Sequence, residues 1–194
     1  MLSTAACRSR AQRRAFTLVE VAIVVVIIGV LAVLGIAGYR RYTATARMAE
    51  ATNMTGDIRA AQEAFRREKG VYASVSNDTG SFYPAITPGK FVTEWGGDCT
   101  NCKIGSDGWR TLPVHPSQPV MFGYATVAGV GDLGSQSAPP KASLAIATPA
   151  LSTLAATDPY YITIAWGDSN GDGTPCIVTG YSFSNQLVIE AAGE

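Results

Sequence analysis

The chain has 194 residues, 47% hydrophobic and only 15% charged, with equal numbers of acids and bases. That composition excludes a disordered chain and a nucleic-acid binder driven by bulk positive charge, and the length fits one domain plus an extra segment. The neutral total conceals a split: Arg8, Arg10, Arg13 and Arg14 precede Phe16 with no acid among them, and fifteen acids face eleven bases thereafter.

From Phe16 to Gly38 the only charge is Glu20. A helix of that length spans roughly 35 Å, enough for a hydrocarbon core of about 30 Å. In lipid a lone segment satisfies its backbone groups only as a helix, so the Val- and Ile-rich composition does not make it a strand. The run is longer than a typical signal-peptide core and has no clean cleavage site at its end, so it reads as a retained anchor. Four leader arginines against Arg40 and Arg41 favour a cytoplasmic N-terminus. A carboxylate within an apolar helix is costly, which makes Glu20 a functional candidate.

The stretch Arg13-Arg14-Ala15-Phe16-Thr17-Leu18-Val19-Glu20-Val21 resembles the cleavage and methylation signature of type IV pilins and pseudopilins: a basic leader, a small residue, Phe, and Glu four positions later at the start of an apolar helix. The resemblance covers about the first seventy residues. It implies that a prepilin peptidase removes residues 1–15 by cutting between Ala15 and Phe16, that Phe16 becomes an N-methylated N-terminus, and that Glu20 pairs with that amine on a neighbouring subunit. Ala15 departs from the Gly usual before the cut. The implied partners are other pilin subunits, the peptidase and the inner-membrane assembly machinery. The implied location is first the inner membrane, as a single-pass precursor, and then an extracellular pilus or a periplasmic filament.

Beyond the membrane half, residues 16–38, an amphipathic half over residues 39–70 continues the helix from about Thr17 to about Lys69. Met54, Ile58, Ala61 and Phe65 share one face, with Asp57, Arg59, Gln62, Arg66 and Arg67 elsewhere. Lys69 and Gly70 read as the stop. Residues 71–194 form the head. Few regular signals occur before residue 119; strands are expected at about Pro119–Ala128, Tyr160–Trp166, Ile177–Phe183 and Gln186–Ile189, with a loop excursion between Leu133 and Pro159 and a short helix near Leu151. The expected class is α+β, a long helix laid on a small antiparallel sheet, as in type IV pilins.

Asp168-Ser169-Asn170-Gly171-Asp172-Gly173 matches the opening of a calcium loop, with Asp168, Asn170 and Asp172 as oxygen ligands. Thr179 stands where the bidentate Glu belongs, and the same residues suit a hairpin turn. Cys99-Thr100-Asn101-Cys102 lacks a second pair for zinc, so a disulfide between Cys99 and Cys102 is expected outside the cytoplasm, with Cys176 as the alternative partner. His115 stands alone, no catalytic constellation assembles, and no cofactor besides the calcium of that loop is implied. The reading is a non-enzymatic structural subunit of a type IV pilus or related filament, serving adhesion, motility or DNA uptake. The alternatives are a minor pseudopilin of a type II secretion system and a membrane-anchored binding protein.

Overall fold

A computed structural model describes residues 16–84, 88–89, 91–96, 108–130, 157–168 and 171–190. The short helix expected near Leu151 lies outside these residues. Among those described, the order is one helix, α1 (Leu18–Lys69), and four strands: β1 (Gly123–Val130), β2 (Pro159–Gly167), β3 (Cys176–Tyr181) and β4 (Ser184–Glu190). The chain divides into two compact units, Met1–Arg40 and Arg41–Glu194.

In the first unit, every described side chain is exposed. In the second, the later part of α1 buries Ala51, Met54, Ile58 and Ala61, with Phe65 partly buried, as the 3.6-residue spacing predicts. These side chains meet Tyr124, Ala165 and Val178 of the sheet in one core, together with Leu112, Val114 and Phe122. The helix stops at Gly70, whose φ of 79° is left-handed and whose N–H donates to the Arg66 carbonyl at 2.8 Å. The α+β class is therefore as expected: one long helix on a four-stranded antiparallel sheet, like that of type IV pilins.

The strands pair in sequence order, β1-β2-β3-β4, all antiparallel. Tyr124 opposite Ala165, and Ala165 opposite Val178, face the helix. On the other face Ala125, Ile162, Ile164, Ile177 and Tyr181 form a second cluster with Phe82. Burial on both faces explains why β2 reads Tyr-Tyr-Ile-Thr-Ile-Ala-Trp and not as an apolar–polar alternation. Its buried Thr163 hydroxyl accepts from Thr126 Oγ1 at 3.0 Å. The outer edge of β1 is not bare: Val75 and Ser76 donate their N–H groups to the Thr126 carbonyl, and Tyr83 exchanges two backbone bonds with Tyr124.

Strand limits differ from the sequence expectation in two instructive places. β1 starts at Gly123 and not near Pro119, because Val120 pairs with Thr93 and the N–H groups of Met121 and Phe122 donate to the Glu50 carboxylate. Those donors are taken by the helix and cannot join a ladder. β3 likewise ends at Tyr181, since Ser182 and Phe183 form the turn into β4.

Candidate functional site

The candidate processing and assembly segment is the start of α1. Thr17 ends the non-helical backbone: its carbonyl accepts from the Val21 N–H at 3.2 Å, and its Oγ1 accepts from the Glu20 N–H, also at 3.2 Å. This is an N-cap, and Thr17-Leu18-Val19-Glu20 carries the S/T-x-x-E spacing of a capping box. Glu20 thereby occupies the first helical turn, where the positive end of the helix dipole favours a carboxylate. Phe16 precedes the helix and is 77% exposed. Ala15, the other residue of the expected cut, lies outside the described residues.

The apolar side chains that follow, through Ile36, are all exposed, and α1 is long and apolar enough to cross a membrane. A Cβ added at Gly29, Gly35 or Gly38 would meet nothing within 4 Å. This surface has a large free-energy incentive to be covered, at roughly 25 cal/mol for each Å² of apolar area removed from water.

The loop opening at Asp168 is held by that residue's own carboxylate. Oδ1 accepts from the N–H groups of Gly171 (2.7 Å) and Asp172 (3.2 Å), and Oδ2 accepts from Gly173 (2.9 Å). Asp172 Oδ1 accepts from the Thr174 N–H at 2.7 Å. Gly171 and Gly173 have φ of 78° and 88°, which side chains rarely adopt. Asn170 lies outside the described residues. Thr179, at the twelfth loop position, is fully buried within β3. No group of three or more His, Cys, Asp or Glu suited to a metal ion occurs among the described residues.

Cys99 and Cys102 lie outside the described residues. Cys176 is a free, buried thiol that donates to the Met48 sulfur at 3.8 Å, and burial raises its pKa. His115 is exposed. Tyr160 and Tyr161 are core residues.

Three anchoring residues were not singled out by the sequence pattern. Glu50 accepts from the Met121 and Phe122 N–H groups and from the Tyr124 hydroxyl. Burial, and then the nearby Glu50 charge, raise the pKa of Tyr124. Arg59 reaches from α1 to the start of β4, donating to the carbonyls of Ser184 (2.8 Å) and Asn185 (3.1 Å). Gln62, expected on the polar side, is 0% exposed and bonds both backbone groups of Ala73. An amide four residues after an apolar position is the only local signal that any of them leaves.

Compared with known families, residues 10–36 match the prokaryotic N-terminal methylation motif. No curated protein sequence and no solved structure matches the chain. A capped, apolar, exposed helix start carrying that motif is the type IV prepilin signature. The signature supports a type IV pilin or pseudopilin-like precursor, a structural and non-enzymatic kind of protein that is anchored in a membrane and meets processing and assembly partners.

Proposed function

We propose that the chain is the precursor of a structural subunit of a type IV pilus or related filament. A prepilin peptidase removes residues 1–15, cutting between Ala15 and Phe16, and Phe16 is N-methylated. The subunit waits in the inner membrane and then packs helix to helix into the filament, where neighbouring α1 segments replace lipid around the apolar half. Glu20 accepts the Phe16 ammonium of a neighbour, which is how a carboxylate is tolerated once water and headgroups are gone. The observation that carries this reading is the methylation motif at residues 10–36 lying on a helix start whose apolar side chains are all exposed.

The free thiol at Cys176 supports a Cys99–Cys102 disulfide in the mature head, because Cys7 leaves with the leader. The Asp168 loop serves as a turn closed by its own carboxylate.

The test is expression of Glu20→Gln beside the unaltered chain in a host supplying peptidase and assembly machinery. Both chains are expected to lose the leader, and only the unaltered chain is expected in sheared filaments. Equal yields of filament from both would remove Glu20 from assembly.

A further inference from the structure

Where the apolar run of α1 ends, four consecutive residues read Tyr39-Arg40-Arg41-Tyr42, and all four are exposed, the tyrosines by 69% and 73%. Successive residues on an α-helix are turned by about 100°, so these four side chains encircle the helix and do not share a face. A bilayer surface meets a crossing helix on all sides, as this ring of side chains requires. Tyr and Arg are the residue types that suit such a surface, with a ring or alkyl stem in the apolar layer and a polar tip among headgroups.

Charge selects the lipid. Between Glu20 and Glu50 the only charged residues are Arg40, Arg41 and Arg47, so this stretch of helix is purely positive. The arginines also stand at the end opposite the basic leader, where the usual distribution of positive charge gives no reason for them. Length supplies the third argument. From Glu20 to Tyr39 is nineteen residues, or about 28 Å of helix, which matches a hydrocarbon core of about 30 Å.

We propose that Tyr39, Arg40, Arg41 and Tyr42 form an interfacial girdle that binds the phosphates of anionic phospholipid headgroups at the membrane face opposite the leader. By doing so the girdle fixes the depth of α1. Glu20 and the bond before Phe16 are then held at the other face, within reach of a peptidase. Glu20 sits at the boundary of the lipid and not at its centre, and becomes fully buried only on leaving the membrane. The role in presenting the cleavage site rests on the function proposed above; the lipid contact does not.

The test uses the full uncleaved chain in phosphatidylcholine vesicles. Spin-labelled phosphatidylglycerol and spin-labelled phosphatidylcholine compete for the protein surface, read by electron paramagnetic resonance. Because the leader arginines also attract anions, the chain with Arg8, Arg10, Arg13 and Arg14 all changed to Gln is measured alongside. It is expected to keep a preference for phosphatidylglycerol that weakens with salt. Adding Arg40→Gln and Arg41→Gln is expected to lower that preference by about fivefold per arginine at low ionic strength. Hydrogen exchange in the same vesicles is expected to place the edge of the slow amides at residues 38–42, and to move it by about one turn when Tyr39→Ala and Tyr42→Ala are added. An unchanged lipid preference in the arginine variant overturns the proposal. So does an unchanged preference accompanied by lost cross-linking between copies, which assigns the girdle to a protein interface. Both readings are taken without peptidase, so failure of cleavage leaves them standing, and their failure leaves cleavage untouched.

Discussion

Gln62 offers the sharpest test of how the helix is tied to the head. Its Nε2 donates to the Ala73 carbonyl at 2.6 Å, its Oε1 accepts the Ala73 N–H at 2.9 Å, and both residues are buried. Replacing Gln62 with Leu keeps the volume but strands one backbone donor and one acceptor away from water. Each such group costs about 1–3 kcal/mol, and the new apolar contacts return about 1 kcal/mol. The net loss is therefore about 1–5 kcal/mol, to be set against the roughly 5–15 kcal/mol typical of a domain. The assay is urea unfolding of the detergent-solubilised full chain, followed by tryptophan fluorescence from Trp95, Trp109 and Trp166. A loss below about 0.5 kcal/mol would mean that water reaches Ala73, and the two-point clamp would have to be abandoned.

Arg59→Lys keeps the charge but loses the fork that spans the Ser184 and Asn185 carbonyls; a cost of about 1–2 kcal/mol is expected, with faster hydrogen exchange confined to the start of β4 and the turn before it. Gly180→Ala places a Cβ 2.9 Å from Arg59 Cδ and 3.1 Å from Thr163 Cγ2, and is expected to destabilise by about 1–3 kcal/mol. Gly56→Ala meets nothing within 4 Å and is expected to stabilise the helix by up to about 1 kcal/mol, so equal thermal shifts for the two would refute the packing around β3. Burial, aided by Glu190, pushes Tyr181 up to about 12, and burial also raises Tyr72, Tyr124 and Tyr161. The folded state then holds protons that the unfolded state releases near pH 10, so stability is expected to fall as pH rises from 10 to 12; an unfolding free energy that stays constant over that range would contradict it. Millimolar calcium is expected to leave the melting temperature unchanged, since the Asp168 carboxylate already accepts three backbone N–H groups, whereas an increase of several degrees would reveal a bound ion.

What the sequence displays and what it hides separate by distance along the chain. The helix, its apolar face and its stop at Gly70 depend on residues within a few turns, and all were legible. So was the signature around Phe16 and Glu20, since its parts lie within one short segment. The four strands were legible as apolar runs, but their ends were not. The start of β1 depends on Glu50, 71 positions before Met121, and the burial of Gln62 depends on the chain doubling back to bring Ala73 against it. A polar residue whose partner is supplied by folding has the same local pattern as one that faces water. The Asp168 loop shows a different limit: Asp-rich, Gly-rich spacing serves an ion or a self-closed turn equally well, and the choice turns on which groups occupy the carboxylate oxygens.

Maturation of this chain is expected to cut the Ala15–Phe16 bond and to methylate the amine that the cut frees on Phe16. Intact-mass measurement of the subunit recovered from cells containing a prepilin peptidase addresses it directly. The expected subunit begins at Phe16, lacks the first fifteen residues and carries one additional methyl group. A chain that retains its leader, with Arg13 and Arg14 still attached, would instead mark a permanent membrane tether and contradict it.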